Sequence, residues 1–88
     1  MTNDEILQTR ALLTALDRLG GGLGAEALGA HVETATGRPL TTAERDLMLA
    51  RAVERRYATT YRNAITDRVC YAITDEGRIA LSGLGPLS

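Results

Sequence analysis

The 88 residues predict an α+β fold: a three-helix core, a C-terminal β-hairpin and a short final helix. Three observations lead there. Helical apolar spacing opened by a capping or glycine signal recurs three times before Tyr57. From about Ala58 the hydrophobic period falls from about 3.6 residues to two. The run Tyr71-Ala72-Ile73-Thr74-Asp75-Glu76-Gly77-Arg78 then passes from an alternating strand into a new N-cap, with carboxylates in the first helical turn.

Thr2-Asn3-Asp4-Glu5 fits a capping box, with Thr2 as N-cap and Glu5 reaching back, and opens a helix that runs to Leu19. Ile6, Leu7, Leu12, Leu13, Leu16 and Leu19 make its apolar surface wider than one stripe. Part of that surface is expected in the core, and part is available to another subunit. Gly20-Gly21-Gly22 ends the helix, and Leu23 is expected to bridge to the later hairpin. A second helix over Ala25 to Thr36 is anchored by Leu28 and Val32, while Gly29 and Ala30 permit a neighbouring helix to come close. Gly37-Arg38-Pro39-Leu40 is the following turn.

Thr41-Thr42-Ala43-Glu44 is a second capping box and opens the third helix, 41–56. At about 100° per residue, Ala43, Leu47, Ala50, Val53 and Tyr57 share one face, with Leu49 at its edge, and that face is expected to be the buried one. Glu44, Met48, Arg51 and Arg55 share the opposite face, with Arg45 and Ala52 beside them. The hairpin 58–73 follows: Ala58 to Asn63 leads out, Ala64 to Arg68 makes a polar-tipped turn, and Val69 to Ile73 returns. The last helix, Asp75 to Leu81, is expected to pack Ile79, Ala80 and Leu81 onto the first. Residues 1–83 then form one domain and 84–88 a short tail.

Composition narrows the function classes. Net charge is −1, but it is unevenly spread. Residues 38–68 hold seven arginines against four carboxylates, so this middle segment is locally basic. The lone Cys70 excludes an internal disulfide, and with only His31 beside it no metal cluster assembles. The acidic start, Asp4-Glu5, lacks the basic region of a signal peptide, and no apolar run approaches the roughly 20 residues that span a bilayer. A cytoplasmic location without membrane association is expected. Gly20-Gly21-Gly22-x-Gly24 follows a helix rather than a strand and lacks the Gly-Lys-Ser/Thr ending, so it is no phosphate loop. No nucleophile with a base is recognisable; neither an enzyme nor a bound cofactor is expected.

The segment Tyr71-x-Ile73-Thr74-x-x-Gly77-Arg78-x-x-Leu81 resembles the strand-to-helix exit of winged helix-turn-helix domains, as in MarR-type and PadR-type bacterial regulators. The element order extends that resemblance over nearly the whole chain. Val53-Glu54-Arg55-Arg56-Tyr57 stands where such domains commonly have Leu-Glu-x-x-Gly, so Tyr57 replaces the glycine. The resemblance implies double-stranded DNA as partner, the third helix in the major groove and the hairpin as wing.

On that reading Arg45, Arg51 and Arg55 contact the groove, and Thr41 and Thr42 hold a phosphate at the helix N-terminus. Arg62 and Arg68 belong to the wing, and Arg38 touches the backbone from the turn. The plainer reading makes these arginines a solvated face paired with Glu44 and Glu54, the threonines ordinary caps, and Tyr57, Tyr61 and Tyr71 core filling. Cys70, out of phase with Tyr71 and Ile73, is expected to face away from the core as an inert thiol. The competing function is a winged helix that docks protein. Glu44, Met48 and the broad leucine surface of helix 4–19 favour it, and a homodimer through that helix is the further partner expected.

Overall fold

The first helix, α1 (Asn3–Leu19), begins where the Thr2 hydroxyl accepts the Glu5 amide at 3.2 Å. Two more helices follow, α2 (Ala25–Thr36) and α3 (Thr42–Glu54), then strands β1 (Ala58–Arg62) and β2 (Val69–Ile73), and finally α4 (Asp75–Leu84). This computed structural model describes residues 2–20 and 23–84. The expected glycine stop at Gly21-Gly22 and the tail beyond Leu84 lie outside those residues. The chain is thus α+β, with an antiparallel hairpin placed after three helices, an order compatible with a winged-helix layout.

Leu12, Leu13 and Leu16 of α1 form the centre of the core with Leu28 and Val32 of α2 and Met48, Leu49 and Ala52 of α3. Gly37 ends α2 at φ 69°, a left-handed conformation that costs glycine nothing, and its amide returns to the Glu33 carbonyl at 2.9 Å. Leu40, after Pro39, packs against the core and brings the chain back for α3.

The hairpin register pairs Ala58 with Ile73, Thr60 with Tyr71 and Arg62 with Val69 on one face. Tyr61 pairs with Cys70 on the other. As expected, Leu23 bridges β2: the Tyr71 amide donates to its carbonyl at 3.0 Å. Tyr57, Tyr71 and Ile73 meet the core, whereas Tyr61 is exposed, since its register places it on the far face of a sheet covered on one side. Cys70 shares that far face and stays outside the core cluster, yet it is only 4% exposed, against the expectation of an outward thiol. The side chain is small, and its sulfur lies 3.8 Å from the Arg68 carbonyl.

Three further expectations are corrected. The hairpin turn is not wholly polar, because Ile65 at its tip is 95% exposed. The Asn63 carboxamide oxygen accepts the Ile65 and Thr66 amides, an Asx-type turn that leaves the Ile65 side chain nothing to pack on. The last helix passes Leu81 and continues to Leu84, because Leu81 and Leu84, one turn apart, are both half-buried. Ile79 faces solvent instead of α1, while Ala80 and Leu81 make the contact.

Candidate interaction surface

Helix α3 is fixed at its start by a complete capping box. The Thr41 hydroxyl accepts the Glu44 amide at 3.1 Å, and the Thr41 amide donates to the Glu44 carboxylate at 3.0 Å. That amide, followed by the hydroxyl, holds the Glu44 carboxyl below its ordinary pKa. A phosphate arriving at this terminus would meet a carboxylate already seated there. Thr42, the first helical residue, is exposed.

The rotation of α3 about its axis differs from expectation. Met48 and Ala52, expected outside, are 8% and 5% exposed, while Leu49, Val53 and Tyr57 meet the core as expected. Ala43, Leu47 and Ala50 face solvent, Leu47 with 51% of its surface exposed. The sequence offers two apolar stripes on nearly opposite sides of this helix, and the stripe carrying Met48 and Leu49 fills the larger gap against α1 and α2. Gly29 of α2 lies against the Arg45 side chain: a Cβ there would lie 2.9 Å from Arg45 Cδ. The aliphatic stem of Arg45 therefore lies along α2, and its head meets Asp46 at 3.0 Å.

The outward face of α3 consequently reads Ala43, Asp46, Leu47, Ala50 and Glu54, all exposed. Sequence reasoning placed the apolar members of this face inside. The usable signal was the stripe Met48-Leu49-Ala52, which competes with it in both volume and spacing.

The predicted arginines do not form a continuous cationic strip. Arg51 and Arg55 turn toward α1, where the Glu5 carboxylate sits 3.5 Å and 4.0 Å from them. Glu5 thus bonds across to α3 rather than closing a box with Thr2. Arg38 of the turn meets Asp4 at 2.6 Å, and Arg62 meets Asp67 at 2.9 Å. Arg68, beside the hairpin tip, has no ion pair among the described residues. Arg51 and Arg55 are brought together at Glu5, while Arg38, Arg45 and Arg62 each meet a carboxylate of their own. The local field is broken.

The hollow around Glu5, Arg51, Arg55 and Tyr57 measures about 20 Å³, room for about one water. Among the described residues no group of histidine, cysteine and carboxylate side chains is arranged to hold a metal. No helix among them is long and apolar enough to cross a membrane. The outward face of α3 is largely apolar, with Asp46 and Glu54 among its exposed residues. No family model matches this chain, and comparison with curated proteins and with solved structures returns no match.

Proposed function

We propose that this chain is a winged-helix module that docks protein through the outward face of α3. One observation carries the reading: Ala43, Leu47 and Ala50 stand in water at i, i+4 and i+7, flanked by Asp46 and Glu54. That spacing is how a helix presents anchors to a partner's groove. Exposed apolar anchors beside charge suit protein contact, whereas carboxylates on a reading face repel phosphates.

Double-stranded DNA is the second reading, for a regulator using α3 and the hairpin. Its support is that the pairs made by Arg38 and Arg62 are exposed, and those of Arg51 and Arg55 with Glu5 only half-buried. Such pairs are worth about 0–1 kcal/mol and exchange readily for phosphate. The unpaired Arg68 at the hairpin tip adds to it.

The two readings separate in one comparison. Wild type and Leu47→Asp are used as bait in quantitative affinity capture, and both are titrated with duplex DNA at two salt concentrations. The docking reading expects a protein held by wild type and lost by Leu47→Asp, with duplex affinity no better than non-specific. Duplex binding whose salt slope is about −3 to −4, flattened by Arg51→Ala with Arg55→Ala and indifferent to Leu47→Asp, would replace it with the DNA reading.

A further inference from the structure

On the far side of α1 from α3 lies an open groove of about 1020 Å³ between α2 and α4. At about 100° per residue, its floor residues Leu7, Ala11, Thr14 and Arg18 point nearly opposite to Glu5, Leu12 and Leu16, which face α3 and the core. His31 and Ala35 of α2 form one wall and Leu81 of α4 the other. The one carboxylate in the lining, Asp17, is held by Arg78 at 3.4 Å. Arg18 therefore makes the groove apolar below and basic at its edge.

We infer that this groove receives α3 of a second copy of the chain, an inference that rests on the docking reading of α3. The two stripes carry the same spacing. Ala43, Leu47, Ala50 and Glu54 follow i, i+4, i+7 and i+11, as do Leu7, Ala11, Thr14 and Arg18. Each extends for roughly 17 Å. Set side by side in the same direction, they place a leucine against an alanine at two successive levels, Ala43 on Leu7 and Leu47 on Ala11. Large against small is how helices interdigitate at close range. At the fourth level Glu54 meets Arg18, and neither has an ion-pair partner among the described residues. The acidic face and the basic groove are complementary, and each leaves the other's apolar residues out of water.

The contact joins two different surfaces, so it is head-to-tail and leaves a free groove and a free α3 at the ends. Groove against groove is excluded, because the floor of each is recessed between two helices. A single helix in a groove is a small interface, so association is weak and concentration-dependent.

Sedimentation equilibrium of the full chain from micromolar to millimolar concentration tests this. The weight-average mass is expected to rise at least about twofold and to fall back with added salt, as exposed charge pairs are screened. Leu47→Asp, Arg18→Glu and Glu54→Arg should each stay monomeric. Mixing Arg18→Glu with Glu54→Arg should restore association, because each reversed surface then finds its complement. Circular dichroism on each variant separates a lost contact from a lost fold. A wild type that remains monomeric throughout overturns the inference, as does association that survives Leu47→Asp. If the wild type is monomeric while Leu47→Asp still abolishes capture of another protein, self-association falls and the docking reading of α3 stands.

Discussion

Gly77 in the first turn of α4 lies so close to the Tyr57 backbone that a Cβ on it would sit 2.1 Å from the Tyr57 carbonyl oxygen. The Thr74 hydroxyl accepts the Gly77 amide at 2.9 Å and donates to the Arg56 carbonyl, so the start of α4 is tied to the end of α3. The Thr-x-x-Gly pattern is therefore a packing device: threonine caps the helix, and glycine lets it approach a main chain that cannot move aside.

Gly77→Ala should consequently be among the most damaging single-methyl additions. Overpacking typically costs about 1–3 kcal/mol, and here the neighbour is backbone rather than a flexible side chain. At this chain length a loss of about 2 kcal/mol or more corresponds to a Tm drop of roughly 8 °C or more. Thermal unfolding followed by circular dichroism reads it. A variant as stable as wild type would mean that α4 does not press on Tyr57.

Arg56 presents the opposite case. It holds φ 63° directly after the end of α3, in a region that costs a side-chain-bearing residue about 1–2 kcal/mol. Arg56→Gly should stabilise the chain by about 1 kcal/mol once the extra freedom of unfolded glycine is deducted. Chemical denaturation with an unchanged m-value and a raised midpoint is the expected result.

Glu5 is the carboxylate that holds the α3 arginines. Removing its charge should alter stability little, because the pairs lie at the surface, half in water, at 3.5 and 4.0 Å, and pairs of that kind contribute about 0–1 kcal/mol. On the docking reading, Glu5→Gln gains no affinity for duplex DNA in an anisotropy titration. A several-fold gain would identify Arg51 and Arg55 as phosphate ligands released from an internal competitor.

The Glu44 carboxyl, lowered in pKa by the Thr41 amide and then by its hydroxyl, links stability to acidity. A depressed folded-state value means that the contribution is fully present above the ordinary value of 4.5 and is lost as pH falls through the folded value. The stability difference between wild type and Glu44→Gln should therefore hold steady at neutral pH and shrink in that acidic window. Urea midpoints measured across the range check it. A difference that stays constant down to the lowest pH would show that the capping box does not depend on the Glu44 charge.

Much of the architecture was legible because local rules govern it. The Thr2 and Thr41 caps, the glycine at Gly37, the alternation through Tyr71 and the cap at Thr74 all act within a few residues, and each element begins where they indicate. The surface was less legible. Leu47 and Met48 are neighbours in sequence, of similar size, on a helix with two apolar stripes, so periodicity alone could not choose between them. The choice depends on the core space against α1 and α2 that Met48 and Leu49 fill. Arginine count likewise carried no information on the carboxylates that Asp4 and Glu5 bring from the other end of the chain.

The order of elements and their ends follow from the residues themselves, since capping, turn chemistry and hydrophobic period need only near neighbours. The face that α3 shows to solvent, and the neutralisation of its arginines by α1, were decided by the tertiary structure. Both depend on contacts between residues far apart in the chain, and those contacts exist only once the helices have packed.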